Sequence, residues 1–386
     1  MEKEYPISLG MKMFYGIFSA VIFLIGLFLF NIPHTVKTPA WFDIFPTLML
    51  VTSIFIFVNI FKKKVIVYDE RIVTIGLFLT KELFIDSIKG VRIESKIVFI
   101  EPINAADNQL RIGSYYELKN SDQLVKWLQD NFTDLNSVDL ADEQNKILHN
   151  SELGVTETDR EQTLKKTKKI AQIYNIGGAV AVIFILVFSN TVKAAIVGIV
   201  YPLISIVIIA NSKGLVKFVS NPQRSISSSV LFGFVLPSFS ALLISEIYTI
   251  YKSTNLWLPV LCISTFIFIV VYKIGINKSI KQIKGQAIIM FMFVTLYGFA
   301  STLQINCALD IFPGQIYKVA VLDERIISSG RRNSYYLKLS AWGPTETGKE
   351  VEVRRRVYDR VDVGDSVNVV FKQGLLHIPW FIVTHE

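Results

Sequence analysis

The chain has 386 residues, of which 51% are apolar and only 19% charged, and its mean hydropathy is +0.44. Soluble chains average about 25% charged residues, so this balance excludes ordinary globular domains alone, a disordered chain and a collagen-like repeat. Lys and Arg number 40 against 32 Asp and Glu, a formal charge of +8. Beside apolar spans such an excess orients helices and meets anionic lipid heads, and no nucleic acid partner is expected.

A hydrocarbon core of about 30 Å takes roughly 20 apolar residues as a helix. Seven stretches approach that length: 13–32, 44–61, 173–189, 194–210, 229–250, 256–272 and 286–304. The first is longer than the apolar run of a secretory signal, and no small-x-small cleavage site follows it, so it reads as a retained span. Placing the amino terminus in the cytoplasm sends every strongly basic flank inside. These flanks are Lys62, Lys63 and Lys64; Lys165, Lys166, Lys168 and Lys169; Lys213, Lys217 and Arg224; and Lys273, Lys278, Lys281 and Lys284. The opposite loops carry only Lys37, Lys193 and Lys252. Seven crossings then leave the carboxyl terminus outside.

The domain plan is a helical hairpin over 1–61, a cytoplasmic domain over 62–132, and a polar linker with a basic helix over 133–172. A five-span bundle over 173–304 and a small extracytoplasmic β domain over 310–386 complete it. In the cytoplasmic domain, short strands rich in β-branched and aromatic residues fall at 65–68, 72–79, 81–85, 90–94, 97–100 and 110–118. Asn120-Ser121-Asp122 offers a helix start, and Leu124, Val125, Leu128 and Phe132 then recur at helical spacing.

A strand pair such as 65–79, the segment Lys81-Glu82-Leu83-Phe84-Ile85-Asp86-Ser87-Ile88 and a closing helix over 121–132 resemble the bacterial pleckstrin-homology-like domain. The resemblance covers 62–132 and rests on the order of elements. It implies an open barrel plugged by its carboxy-terminal helix, fused to membrane spans, and a binding or assembly module without catalytic chemistry. It carries over no functional residues.

After this domain, Thr158-x-x-Glu161 has capping-box spacing and starts a helix running through the lysine cluster into the third span. The last segment reads as strands at 317–323, 334–342, 350–358, 366–372 and 376–383, separated by Gly-rich turns. Five strands in so short a stretch imply a small barrel, which hides sheet edges. Val67-Tyr68-Asp69-Glu70-Arg71-Ile72 and Val321-Leu322-Asp323-Glu324-Arg325-Ile326 form a near-repeat, read in both places as strand–turn–strand.

Chemistry-bearing residues are sparse. His34, His149, His377 and His385 share no helical face, and Cys262 and Cys307 make no metal or redox spacing, so no metal or cofactor is expected. Both cysteines fall near one outer membrane edge, where a bridge between them is conceivable. No Gly-x-Ser-x-Gly elbow or Gly-rich phosphate loop is present. Glu246 is the acidic residue placed well within a span, near its outer end where headgroup water is in reach. Pro202, Pro237 and Pro259 fall within spans, and Ala194-x-x-x-Gly198 offers a small-residue face for close helix packing.

Lys62, Lys63, Lys64, Lys165, Lys166, Lys168 and Lys169 are the candidates for contact with anionic lipid. Arg331, Arg332, Arg354 and Arg356 are candidates for a polyanion or protein partner, with Glu350 and Glu352 on the same strand face as Arg354 and placed to pair with it across strands. The reading is a polytopic plasma (inner) membrane protein of bacterial type, a non-enzymatic scaffold, sensor or assembly factor that binds membrane lipids and a protein partner or a second copy. The alternatives are a transporter or channel built from the last five spans, with Glu246 or Asn175 facing a wet cavity, and a membrane enzyme acting on lipids or envelope precursors.

Overall fold

The computed structural model describes residues 2–31, 44–104, 107–189, 191–275, 280–329 and 332–385. The chain divides into two compact units, Met1–Asn145 and Lys146–Glu386. Among the described residues six helices are long and apolar enough to cross a membrane, and a shorter apolar helix is a seventh candidate.

In the first unit a strand comes before any span: β1 (Lys3–Pro6) leads into α1 (Leu9–Phe30). The partner helix α2 (Ile44–Lys62) runs into β2 (Lys64–Val67) with one residue between them. β1 and β2 then pair antiparallel, Tyr5 opposite Val65, so the two membrane helices emerge from adjacent strands of one sheet. That sheet continues with β3 (Arg71–Ile75) and β4 (Thr80–Phe84) in the order β1-β2-β3-β4. A second sheet is formed by β5 (Ile88–Ile93), β6 (Ile97–Pro102) and β7 (Leu110–Gly113). The burial of β6 alternates along its length, as expected for a strand with one face on a core.

That core is closed by α3 (Ser121–Asn131), whose Leu124 and Leu128 lie one turn apart and are fully buried with Val91, Val98 and Ile100. Each such leucine contributes roughly 1.5–3 kcal/mol by leaving water. The stretch read as one strand over 110–118 stops at Gly113. Ser114 has a left-handed backbone (φ 51°), and a 3-10 turn, Tyr115–Glu117, follows. The segment read as a polar linker forms α4 (Leu135–Leu148), held to β5 through Arg92, which bonds Asp139 and the Leu135 carbonyl.

The second unit starts with α5 (Glu157–Val187), a helix of 31 residues. Its capping box is Thr156 with Asp159, two residues earlier than the spacing at Thr158 suggested. Hydrogen bonding to Thr156 holds the Asp159 carboxyl below the ordinary carboxylate range. α5 carries the lysine cluster and the predicted third span without a break. It is followed by α6 (Val192–Asn211), α7 (Leu231–Ile244), α8 (Trp257–Gly275) and α9 (Ile280–Leu303). α7 is shorter than the stretch 229–250 proposed for it, because Ser228–Ser229 and Thr249–Ile250 are strands and Ser245–Ile247 is a 3-10 turn.

The core at one end of this bundle joins Ala171 of α5, Ile209 of α6, Phe234 of α7, Val271 of α8 and Met290 of α9. Val216 and Phe218, from β8 (Val216–Lys217) and the residue after it, plug that end, and β8 pairs in parallel with β9 (Ser228–Ser229). At the other end Ile244 of α7 packs with Ile185 and Ala194. α7 therefore runs from one end of the bundle to the other.

Small residues set the spacing. A Cβ on Gly198 would stand 2.7 Å from the Ala241 Cβ, so the Ala194–Gly198 face serves packing of α6 on α7. Pro202 and Pro237 lie inside their helices, whereas Pro259 sits in the first turn of α8, where its missing N–H breaks no helical bond. The disturbed turn before Pro202 is satisfied by a neighbour, for Tyr297 donates to the Ile199 carbonyl at 2.9 Å. Asn175 accepts from the Gly233 backbone N–H and donates to the Ser229 carbonyl (2.9 and 2.8 Å), tying α5 to the start of α7.

The C-terminal sheet has six strands, one more than the sequence suggested. They are β10 (Thr249–Ile250), β11 (Gln315–Ser329), β12 (Arg332–Leu339), β13 (Lys349–Val353), β14 (Ser366–Lys372) and β15 (Trp380–Thr384), in the order β10-β15-β14-β11-β12-β13. The sheet is a curled half-barrel, and the added strand β10 comes from the connection between α7 and α8, so the bundle itself covers one edge. Trp342, Trp380 and Phe381 are buried, the first and last in the core of this sheet.

Two readings are corrected here. The near-repeat is a turn between β2 and β3 in its first copy but lies within the single strand β11 in its second, marked only by a bulge between Val321 and Asp323. The strand read over 350–358 ends at Val353, and Arg355–Tyr358 is a helical turn, α10. The alternation expected for Arg354, Arg355 and Arg356 is therefore lost beyond Val353, and Glu350 pairs with Arg325 at 2.8 Å.

Candidate functional site

The first unit holds a cavity of about 270 Å³ where α2 enters the four-stranded sheet. Its wall begins on the helix with Asn59, continues through Lys63 and Lys64 into β2, and is completed by Lys81 of β4 and Arg111 of β7. Three chain segments distant in sequence thus bring four cations to one hollow. This follows from the local fold: one residue between α2 and β2 leaves the Lys63–Lys64 step no freedom to turn away, and antiparallel pairing of β3 with β4 sets Lys81 opposite Thr74.

The cations differ in what neutralises them. Lys63 donates to the Glu117 carboxylate at 3.1 Å, and the other oxygen of Glu117 accepts from the Tyr15 hydroxyl at 2.8 Å. Glu117 is 5% exposed, and a carboxylate so buried is tolerated only when paired. It fastens Tyr15 of α1 and Lys63 after α2 to the sandwich through one side chain. Lys64 pairs with Glu4 of β1 at 2.8 Å, and this hydrogen bond raises the affinity of its ammonium for the proton. Among the described residues no carboxylate pairs with Lys81 or Arg111; the Arg111 guanidinium rests 5.9 Å from the centre of the Phe99 ring. Two of the four cations therefore have no carboxylate partner among the described residues.

The turn beside this hollow has an unusual composition. Gly76-Leu77-Phe78-Leu79 connects β3 to β4, with Gly76 N–H bonded to the Leu79 carbonyl, and Phe78 and Leu79 are 76% and 68% exposed. The Phe78 ring meets Phe55 of α2, 5.5 Å between centres and edge to face.

Of the residues singled out from the sequence, Lys63 and Lys64 line the cavity, and Lys62 is exposed at the last residue of α2. Lys165, Lys166, Lys168 and Lys169 are exposed on α5 in the second unit, Lys165 facing Glu161 at 3.7 Å. Glu246 is exposed in the 3-10 turn beyond α7, and Asn175 is committed to helix packing. Arg354 and Arg356 are exposed around α10, while Arg331, the side chain of Arg332, His34, Lys37 and Lys278 lie outside the described residues. Cys262 and Cys307 are free thiols, the first exposed and the second buried. Among the described residues no cluster of three or more His, Cys, Asp or Glu side chains could hold a metal ion.

Sequence reasoning missed Lys81, Arg111 and Glu117. Single charges in short strands look like ordinary solvated positions, and only the pairing of sheets brings them together. The apolar turn 76–79 was the available signal, since turn tips favour Gly, Asn, Asp, Pro and Ser. Comparison with family models, with curated proteins and with solved structures finds no match for the chain.

Proposed function

We propose that this chain is a non-enzymatic scaffold of a bacterial inner membrane, whose N-terminal sandwich lies at the cytoplasmic face and holds an anionic phospholipid headgroup in its basic cavity. The observation that carries this reading is the position of that cavity: it opens where the apolar helix α2 ends, and with α2 in a bilayer this end supports a place for Lys81 and Arg111 at the level of the lipid phosphates. Sheets of four and three strands with one closing helix support the likeness to pleckstrin-homology-like modules. The carboxy-terminal half-barrel is the second binding module, for a protein partner or a second copy. Seven crossings, with the termini on opposite sides, are supported by the basic flanks and by the end-to-end course of α7.

The test uses the full chain in nanodiscs. A basic residue near an anionic surface contributes about 1 kcal/mol, so Lys81→Ala with Arg111→Ala removes about 2 kcal/mol, roughly 30-fold in affinity. Bound phosphatidylglycerol, counted by native mass spectrometry, is expected to fall accordingly in the double variant, with phosphatidylcholine unaffected. Equal phosphatidylglycerol retention by both proteins would refute the reading.

A further inference from the structure

We infer that the β3–β4 turn, Gly76–Leu79, is a membrane-inserted wedge whose partner is the hydrocarbon of the leaflet around α2. Three consecutive large apolar residues at the tip of a turn have no place in water, and Phe78 and Leu79 leave most of their surface uncovered by protein. What covers them follows from Phe55. That residue lies seven positions before Lys62, the end of α2, which is roughly 10 Å along the helix axis at 1.5 Å per residue. If Lys62, Lys63 and Lys64 sit among the headgroups, Phe55 is below them in hydrocarbon, and the edge-to-face contact at 5.5 Å places Phe78 at the same depth.

Insertion has a mechanical consequence for the sandwich. Two membrane helices already fix β1 and β2; a third contact at the far end of β3 removes the remaining freedom to rock, and it sets the mouth of the basic cavity at the level of the phosphates. Lys81, two residues after Leu79, then emerges from the hydrocarbon edge with its ammonium at the headgroups. Phe84, at the opposite end of β4, is also exposed but is four residues beyond Thr80, roughly 14 Å further along the strand, and belongs to water. The wedge rests on the placement of the sandwich at the bilayer in the reading above, yet it is driven by apolar burial and does not need an anionic headgroup.

The full chain, with exposed Cys262 replaced by serine, is labelled with bimane at Phe78→Cys or, as the control, at Phe84→Cys, and reconstituted into phosphatidylcholine or phosphatidylcholine–phosphatidylglycerol bilayers. Lipid carrying a nitroxide near the top of its acyl chain is expected to quench the label at 78 several-fold more than that at 84, in both bilayers, and aqueous iodide to show the reverse order. Equal iodide access at the two positions overturns the wedge, as does acyl-chain quenching at 78 that needs phosphatidylglycerol. Loss of phosphatidylglycerol retention is read in a separate assay. Failure of the headgroup site therefore leaves this result standing, and the converse holds too.

Discussion

Replacing Gly233 with valine is expected to unfold the five-helix bundle at a temperature where the parent chain remains intact. A Cβ at this position would stand 2.3 Å from the Tyr174 ring, and one on Gly178 would stand 2.7 Å from the Gly233 Cα, so α5 and α7 touch backbone to backbone. Tyr174 has no room to retreat. Its ring stacks on Tyr201 with centres 5.1 Å apart, and its hydroxyl donates to the Pro202 carbonyl at 3.3 Å. Overpacking costs typically 1–3 kcal/mol and loss of an aromatic stack about 1 more, so a loss of about 2–4 kcal/mol is expected. Thermal melting in detergent measures it. Gly16→Ala, on α1 with open space around it, is the matched control and should leave melting unchanged or slightly raised, because alanine favours a helix by about 1 kcal/mol over glycine.

Asn306→Ala is expected to free the C-terminal half-barrel from the bundle. Asn306 is fully buried in a π-helical turn, Gln304–Ala308, that ends α9. Its carbonyl oxygen accepts from the backbone N–H groups of Leu376 and Ile378, at 3.0 and 3.4 Å, and its amide donates to the Ile378 carbonyl at 2.9 Å. One side chain thus satisfies three backbone groups of the loop leading into β15. Gly374 fits against the same side chain, with φ +78° and space for no Cβ, since one would stand 2.4 Å from the Asn306 oxygen. Each buried group left unpaired costs roughly 1–3 kcal/mol, so the three together lose roughly 3–9 kcal/mol at this joint. Limited proteolysis is expected to cut the loop around residues 374–378 in the variant and to leave α5–α9 whole. Resistance equal to that of the parent would show that the π-turn does not carry the attachment.

The two joints illustrate how far the sequence could be read. Runs of apolar residues locate the membrane helices to within a turn or so at most ends, because lipid demands a length of helix and little else. The α7 stretch is where that logic overreaches: 229–250 is predominantly apolar, but its last two residues are given to a sheet whose other strands come more than sixty residues later. β1 escaped for a similar reason. Four residues ending in proline, placed directly before a span, have no pattern of their own and become a strand only because Val65 and its neighbours lie opposite. The paired hexapeptides make the same point: Asp-Glu-Arg turns the chain between β2 and β3 but merely bulges β11, where pairing with β12 carries the strand on through Asp323, Glu324 and Arg325.

The candidate site was half legible. Lys63 and Lys64 are found by their place after a span, a signal written in consecutive residues. Lys81 and Arg111 reach the same hollow from β4 and β7, and nothing local distinguishes them from other charges on strands. Arg354 and Arg356, which stood out as a run within one strand, lie instead after the end of β13, at the start of a helical turn, because the strand stops at Val353.

The proposed topology has an odd number of crossings, with the N-terminal two-sheet domain in the cytoplasm and the half-barrel outside. A fluorescent protein that matures only in the cytoplasm and an alkaline phosphatase active only outside, each fused in turn after residue 386 of the full chain, read this directly. Active phosphatase and a dark fluorophore at the carboxyl terminus are the expected result. A bright fluorophore with inactive phosphatase there would contradict it, placing both soluble modules in one compartment and reducing α7 to a helix that does not cross.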